Sequence, residues 1–337
     1  MTYTDLLDFH KPLALLESCG VYRATPLDHV ALAGRRMLVK DETDRMGLGA
    51  FKALGGIYAV AQLIAATLEH AVPAADQQSA AERAQVGTLA FVCASAGNHG
   101  LAVATGARLF GARARIHLAQ TVPEEFADRL RNRGAAVVRS GATYEDSIAA
   151  AIADAETSGA IHLADGSWPG YTEPPRLVME GYTVMVEEMR GQLEKRDEWP
   201  SHVYLQAGVG GLAAGVALMI RKIWPVQPEI IVVEPDAAPC LGESVRAGNL
   251  LTVEGPVSNM GRLDCKTPSM LALDILRQAA DRYVTVSDEA AEQVVEVARR
   301  AGYASTPSGV AGLAACLAES PGGLPLVIIS EGDVAAE

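Results

Sequence analysis

A chain of 337 residues has room for about two domains of ordinary size, and with 49% hydrophobic residues it can bury sizeable cores, so disorder is set aside. Acidic side chains outnumber basic ones 41 to 28, and the resulting formal charge of −13 disfavours nucleic acid and anionic membranes as partners. The five cysteines, Cys19, Cys93, Cys240, Cys265 and Cys316, are odd in number and lack metal-ligand spacing, which implies reduced thiols in a cytoplasmic protein. The opening "MTYTDLLDFHKPLALLESCG" lacks the apolar core of a signal peptide, and no run of about 18 apolar residues suggests a membrane span.

The first element with a chemical question attached is "LGAFKALGGIYAV", residues 48–60, where Lys52 opens an apolar helix. Glycines at 47, 49, 55 and 56 surround it and would let backbone approach a ligand closely. A lysine among such small and apolar neighbours loses proton affinity through desolvation and can attack a carbonyl as a neutral amine. The competing explanation is a lysine that snorkels to water with its stem over Phe51. Next, "AVPAADQQSAAERAQ" (71–85) is rich in Ala, Gln and Pro and is expected to contain a surface loop.

From residue 88 short apolar runs alternate with helical patterns. "TLAFVCA" (88–94), "RARIHLA" (113–119), "AAVVRSG" and "AIHLAD" (160–165) are expected strands; helices are expected over 99–109, over 123–135 with Gly134 closing it, and from Tyr144. A long helix over 176–196 follows, then strands at 202–206 and 229–235 flanking a helix from Gly211, a helix over 288–302 capped by Asp288, and a last buried strand at 324–330. This order predicts an α/β protein of parallel βαβ units.

Three strand ends carry further signals. "SAGNHG", Ser95 to Gly100, joins a strand to a helix with residues small enough to leave backbone N–H groups free for an anion, although an ordinary glycine-rich turn has the same composition. In it His99 is read as a capping or packed residue. "LQAGVGGLAAG", Leu205 to Gly215, has the same placement; Gly208, Gly210 and Gly211 allow a turn whose amides cradle a phosphate. A dinucleotide fingerprint can be laid on Gly208, Gly210 and Ala213, with Glu234 as its acidic partner, so a nicotinamide-dependent oxidoreductase stays open as the weaker alternative. Asp165 in "ADGSWPGY" and Ser330 in "VIISEGD" also stand at strand ends, where α/β sheets collect functional groups, although an Asp that opens a turn before Gly166 and a structural serine explain the two equally simply, while Trp168, Tyr171 and Tyr182 are read as packing residues. The seven histidines are scattered and no metal constellation is present.

Taken together, "VKDETDRMGLGAFKALGG", "AGNHG", "DGSWPGYTEPP", "MEGYTVM", "LQAGVGG", "VEPDAAPCL" and "CKTPSM" resemble the tryptophan-synthase-β-like, or fold type II, enzymes that use pyridoxal 5′-phosphate, and within them the diaminopropionate ammonia-lyases. The resemblance implies two open twisted-sheet domains, a larger one from residues 1–87 and 176–337 and a smaller one from 88–175, with the cofactor in the cleft between them, and a homodimer. It implies that Lys52 holds the cofactor as a Schiff base and then serves as base; that Asn98 bonds the cofactor's 3′-oxygen; that Gly208, Val209, Gly210, Gly211 and Leu212 form the phosphate cup; and that Ser330 faces the pyridine nitrogen. Ser95, Ala96, Gly97 and His99 would receive the substrate carboxylate, and Asp165 would lie near the β-substituent. The implied reaction is α,β-elimination of ammonia from a β-amino L-amino acid, with serine or threonine dehydration and a non-catalytic cofactor sensor as alternatives. Two features depart from these ammonia-lyases: the chain is shorter, and Ala96 stands where they usually carry an aspartate thought to serve the D-substrate, which implies an L-specific enzyme.

Overall fold

Ten strands form two sheets in the computed structural model, which describes residues 6–333. In chain order the strands are β1 (Leu27–Leu32), β2 (Arg35–Asp41), β3 (Ala90–Ala94), β4 (Arg113–Leu118), β5 (Ala136–Arg139), β6 (Ile161–His162), β7 (His202–Gln206), β8 (Glu229–Pro235), β9 (Arg282–Val286) and β10 (Pro325–Ile329). One sheet has the order β1-β2-β10-β7-β8-β9; the other has β5-β4-β3-β6. Every pairing is parallel except β1 with β2. That hairpin turns through Ala33 and Gly34, both at positive φ (48° and 77°), the conformation that matches the twist of two antiparallel strands.

The helices are α1 (His10–Glu17), α2 (Lys52–Leu68), α3 (Ala80–Val86), α4 (Asn98–Phe110), α5 (Glu124–Asn132), α6 (Tyr144–Ser158), α7 (Glu173–Glu194), α8 (Gly211–Ile223), α9 (Cys240–Ala247), α10 (Met270–Ala279), α11 (Asp288–Arg300) and α12 (Pro307–Glu319). The inner strands of the larger sheet are apolar on both faces. Leu38, Val203, Leu205, Val232 and Ile328 join the core that α2, α7 and α8 cover, while Val39, Tyr204, Val233, Val327 and Ile329 face α12. Such two-sided burial is what continuous apolar strands signal. Among the described residues no helix is long and apolar enough to cross a membrane.

Several local expectations need correction. Gly55 and Gly56 serve helix packing. A Cβ at Gly55 would fall 2.4 Å from the Tyr182 ring, and one at Gly56 would fall 2.4 Å from the Ala102 methyl, so these glycines let α2 lie against α7 and α4. The strand expected over 160–165 is two residues long, and the chain then turns to present Asp165. The cap of α11 is Ser287, whose hydroxyl accepts from the Ala290 amide; Asp288 instead accepts from the Ser258 hydroxyl and the Asn259 amide. The biased stretch at 71–85 contains the expected loop over its first half, and Ser79 and Glu82 then form a capping box that starts α3.

Candidate active site

Lys52 is the first residue of α2, and the turn before it is pinned to the end of β10. The Phe51 amide donates to the Ser330 carbonyl (3.1 Å), the Gly332 amide donates to the Gly49 carbonyl (2.8 Å), and Ala50 pairs with Glu331 as an isolated bridge. Gly47 and Gly49 sit at φ 66° and 75°, where a side chain would be strained, so the glycines of this turn are conformational. The amine does not snorkel. It forms an ion pair with Asp165, with Nζ 5.4 Å from the Phe51 ring centroid and 5.9 Å from that of Tyr182. Burial alone would lower the Lys52 pKa, but the Asp165 carboxylate outweighs it and holds the pKa above the ordinary lysine value. Burial likewise works to raise the Asp165 pKa, and the Lys52 ammonium pulls it well below the usual carboxylate range.

Asp165 reaches this position from the other sheet, just past β6. Tyr171 braces its turn: the hydroxyl donates to the His162 carbonyl (2.8 Å) and accepts from the Ala164 amide (3.0 Å), and its ring stacks on Trp168 at 4.3 Å. Ser167 and Ser269 tie the same turn to the glycine loop. The Ser167 amide donates to Ser269 Oγ (3.0 Å), and the Ser269 amide donates to the Val209 carbonyl (2.9 Å).

The glycine loop Gly208–Leu212 runs from β7 into α8. Gly210 is the N-cap at φ 101°, no side chain caps the helix, and no acid stands in its first turn. The loop has the form of an anion cradle: helix-terminal amides with no competing carboxylate. Glu234, the acid a dinucleotide site would need, is committed elsewhere. Its two oxygens accept from the amides of Leu241 (2.7 Å) and Gly242 (2.8 Å) at the start of α9. Ser330 Oγ accepts from Gln206 Nε2 (3.0 Å), which leaves its own proton available to an acceptor in the cleft.

The second loop, Ser95–His99, joins β3 to α4. Ser95 Oγ accepts from the Gly97 amide (3.3 Å), Ala96 packs against the core, and a Cβ at Gly100 would collide with the Ser95 carbonyl at 2.2 Å. His99 is buried, as a packed residue should be. Its Nε2 lies 2.8 Å from the Leu163 carbonyl and so carries the proton, while Nδ1 is buried with no hydrogen-bond partner. Burial lowers its pKa, which keeps the ring neutral. Asn98 donates its side-chain amide to Glu331, the neighbour of Ser330.

Two residues at this site, Glu331 and Arg262, were not singled out from sequence, and Tyr182, read there as a packing residue, stands at the site as well. Tyr182 has its hydroxyl buried without a partner beside Lys52, and burial pushes its pKa up to about 12. Glu331 is a buried carboxylate, and Arg262 stands over Gly97. The signal for Tyr182 was its place in "MEGYTVM"; Glu331 and Arg262 had none, because their partners are remote in sequence.

Behind the Lys52 turn lies a buried charge network. Arg45 bonds Glu42 (Nε to Oε2, 2.7 Å) and Glu188 (Nη1 to Oε1, 2.7 Å), and Lys40 Nζ bonds Glu188 Oε2 (2.7 Å) and the Thr25 carbonyl (2.8 Å). Removing one partner strands the others in low dielectric. Glu188→Ala is expected to cost about 3–5 kcal/mol, read as a fall in the midpoint of denaturant unfolding.

An amine paired with an acid, a helix N-terminus free of competing carboxylates and a small-residue loop lie at the carboxyl ends of parallel strands, and together they describe an α/β enzyme site that sets a buried amine near a place for an anion. Pyridoxal phosphate fits this donor set: Lys52 for the aldehyde carbon, the side-chain-poor cradle for the phosphate, and a hydroxyl at Ser330 for a ring nitrogen. A family model described as "Pyridoxal-phosphate dependent enzyme" matches residues 20–331. The chain is 34% identical over 286 residues to the diaminopropionate ammonia-lyase of Escherichia coli (strain K12), a match that covers 80% of this chain and 69% of that protein. Its fold superposes on the selenomethionine holo form of diaminopropionate ammonia lyase from Escherichia coli with a TM-score of 0.83 at 28% identity, over 97% of this chain and 90% of that one. For the same enzyme's complex with an aminoacrylate-PLP azomethine reaction intermediate the TM-score is 0.82 at 29% identity, over 98% and 88% of the two chains. The chain belongs to the family of pyridoxal-phosphate dependent enzymes.

Proposed function

We propose that the protein eliminates ammonia from a β-amino-substituted L-amino acid such as L-2,3-diaminopropionate. Water then completes the conversion to pyruvate and a second ammonia. The observation that carries this reading is the ion pair between Lys52 and Asp165, an amine from one sheet facing a carboxylate from the other. Lys52, Asn98, Ser330 and the loop of Gly208, Val209, Gly210, Gly211 and Leu212 hold the cofactor, and Ser95, Ala96, Gly97 and His99 receive the substrate carboxylate. Bound there, pyridoxal phosphate supplies an electrophilic aldehyde carbon and a ring that takes up the electron pair left by the departing α-proton.

The protein's own residues do the rest. Once the substrate's α-amine has taken the place of Lys52 on the cofactor and Nζ is free, Asp165 pairs with the substrate β-ammonium in place of Lys52. Burial then acts on Lys52 without opposition and lowers its pKa, so recognition of the correct leaving group also creates the base that removes the α-proton at Nζ. The carboxylate keeps the β-nitrogen protonated, so the nitrogen departs with the bonding electron pair as neutral ammonia. A β-hydroxyl gains nothing from a negative neighbour, which sets this reading against a serine or threonine dehydratase.

The smaller unit, 88–175, closes on the larger, 1–87 and 176–337, and excludes water during elimination; the facing origins of Asp165 and Lys52 support this. Five unpaired thiols support a cytoplasmic setting, and the family resemblance supports a homodimer. The test is steady-state turnover of L-2,3-diaminopropionate, L-serine and L-threonine. The diamino acid is expected to have the highest kcat/KM, and a wide margin for serine would refute the assignment. With Ala96 in place of an acid, the D-isomer is expected to turn over far more slowly than the L-isomer, and comparable rates would remove the claim of L-specificity.

A further inference from the structure

The loop Ser95–His99 contains no cation, yet one stands directly over it. From where a Cβ on Gly97 would lie, Arg262 Nε is 3.3 Å away, Cζ 3.4 Å and Nη1 3.5 Å. The guanidinium therefore packs in van der Waals contact over the bare backbone of the loop at Gly97. Its sole charge partner among the described residues is Glu331, with Nε 3.5 Å from Oε2, a loose contact beside the close hydrogen bonds that the same carboxylate accepts from Asn98 and Thr306. The backbone of Arg262 is fixed: its amide donates to Ser308 Oγ (3.1 Å), and its carbonyl lies 3.1 Å from where a Cβ on Gly208 would be, against the phosphate-type loop. The side chain is one-third exposed. A planar fork of donors on a rigid backbone, loosely held by one carboxylate and facing the amide-lined start of α4, is suited to take a second carboxylate.

We propose that Arg262 binds the substrate's α-carboxylate and makes a free carboxylate a requirement of recognition. The proposal rests on the reading that the Ser95–His99 loop receives that group. On substrate entry the guanidinium shifts its outer nitrogens to the incoming carboxylate and keeps Glu331 as a lateral partner. Glu331 meanwhile holds Asn98, so the charge balance of the pair is retained when the substrate leaves.

The test compares L-alanine with L-alaninamide as ligands of the cofactor-loaded protein, with dissociation constants read from the change in the visible absorption band. Neither ligand has a β-leaving group, so binding is measured without turnover. Failure of the protein to eliminate ammonia from any diamino acid would overturn the proposed activity and leave this measurement standing. Arg262→Gln is expected to weaken L-alanine by about 10–100-fold, the worth of one hydrogen bond to a charged group, and to leave L-alaninamide within about twofold. Arg262→Lys keeps the charge but loses the fork and is expected to recover part of the L-alanine affinity; it reads the same comparison should the Gln variant not fold. Equal weakening of both ligands, or no weakening of L-alanine in either variant, overturns the proposal.

Discussion

Lys52→Ala is expected to lower kcat for elimination from L-2,3-diaminopropionate by about 10²–10⁴-fold, the range spanned by loss of a positioned general base. The fold should survive the change. Lys52 is the first residue of α2, its amide lies at the open end of the helix, and the apolar face that anchors α2 begins at Ala53 and Leu54. The variant should also lose the covalent tether to its cofactor, seen as release of the cofactor on gel filtration. Phosphate binding alone would remain, because the Gly208–Leu212 loop is a separate element at the end of β7. A variant that keeps both turnover and tethered cofactor would show that Lys52 is only a partner for Asp165.

Asp165→Asn is expected to separate the two leaving-group chemistries. A charge-assisted hydrogen bond to a β-ammonium is worth about 1.5–3 kcal/mol, so kcat/KM for L-2,3-diaminopropionate should fall about 10–100-fold while that for L-serine falls much less. Equal losses for both substrates would mean that Asp165 serves the site without reading the leaving group. The pH dependence follows from the directions of the two shifts. Asp165 has a depressed pKa in the folded state, so its pairing contributes fully above about pH 4, the unfolded carboxylate value, and is lost as pH falls through the folded value. Lys52 has a raised pKa, so its contribution is present below about pH 10, the unfolded amine value, and is lost as pH rises through the folded one. In the cofactor-free protein the pair therefore persists across the whole range between. In Asp165→Asn burial acts on Lys52 alone, its pKa falls, and the acidic limb of the pH–rate profile for L-serine should move to lower pH.

How far the sequence exposed this architecture depends on where each partner lies. The strands at 90–94, 113–118, 202–206, 229–235 and 325–329 were legible because buried parallel strands are continuous apolar runs closed by glycines or helix caps. The β1–β2 hairpin was not, because Arg35, Arg36 and Lys40 break its apolar pattern. Lys40 is nonetheless fully buried, neutralised by Glu188 almost 150 residues later in the chain. The capping box at Ser79 and Glu82 was local and could have been found from its S-x-x-E spacing, but the Ala- and Gln-rich composition around it obscured it. The cap of α11 shows the opposite limit. Ser287 and Asp288 are both good capping types, and the choice between them was made by Ser258 and Asn259, which occupy the Asp288 carboxylate from another loop.

At the site, glycine-rich strand ends and a lysine among small residues were visible signals, since each has a local backbone cause. The pairing of Lys52 with Asp165 was not visible, because it joins two sheets and depends on β6 ending after two residues. Arg262 and Glu331 were hidden for the same reason: each is unremarkable in its own segment and acquires meaning only beside Gly97 and Asn98.

The most direct measurement is reduction of the cofactor-loaded protein with borohydride, followed by peptide mapping of the fixed cofactor. A single label on the peptide that contains Lys52, with loss of the visible absorption band, is the predicted result. Label on any other lysine, or fully loaded protein that takes up none, would contradict the central assignment.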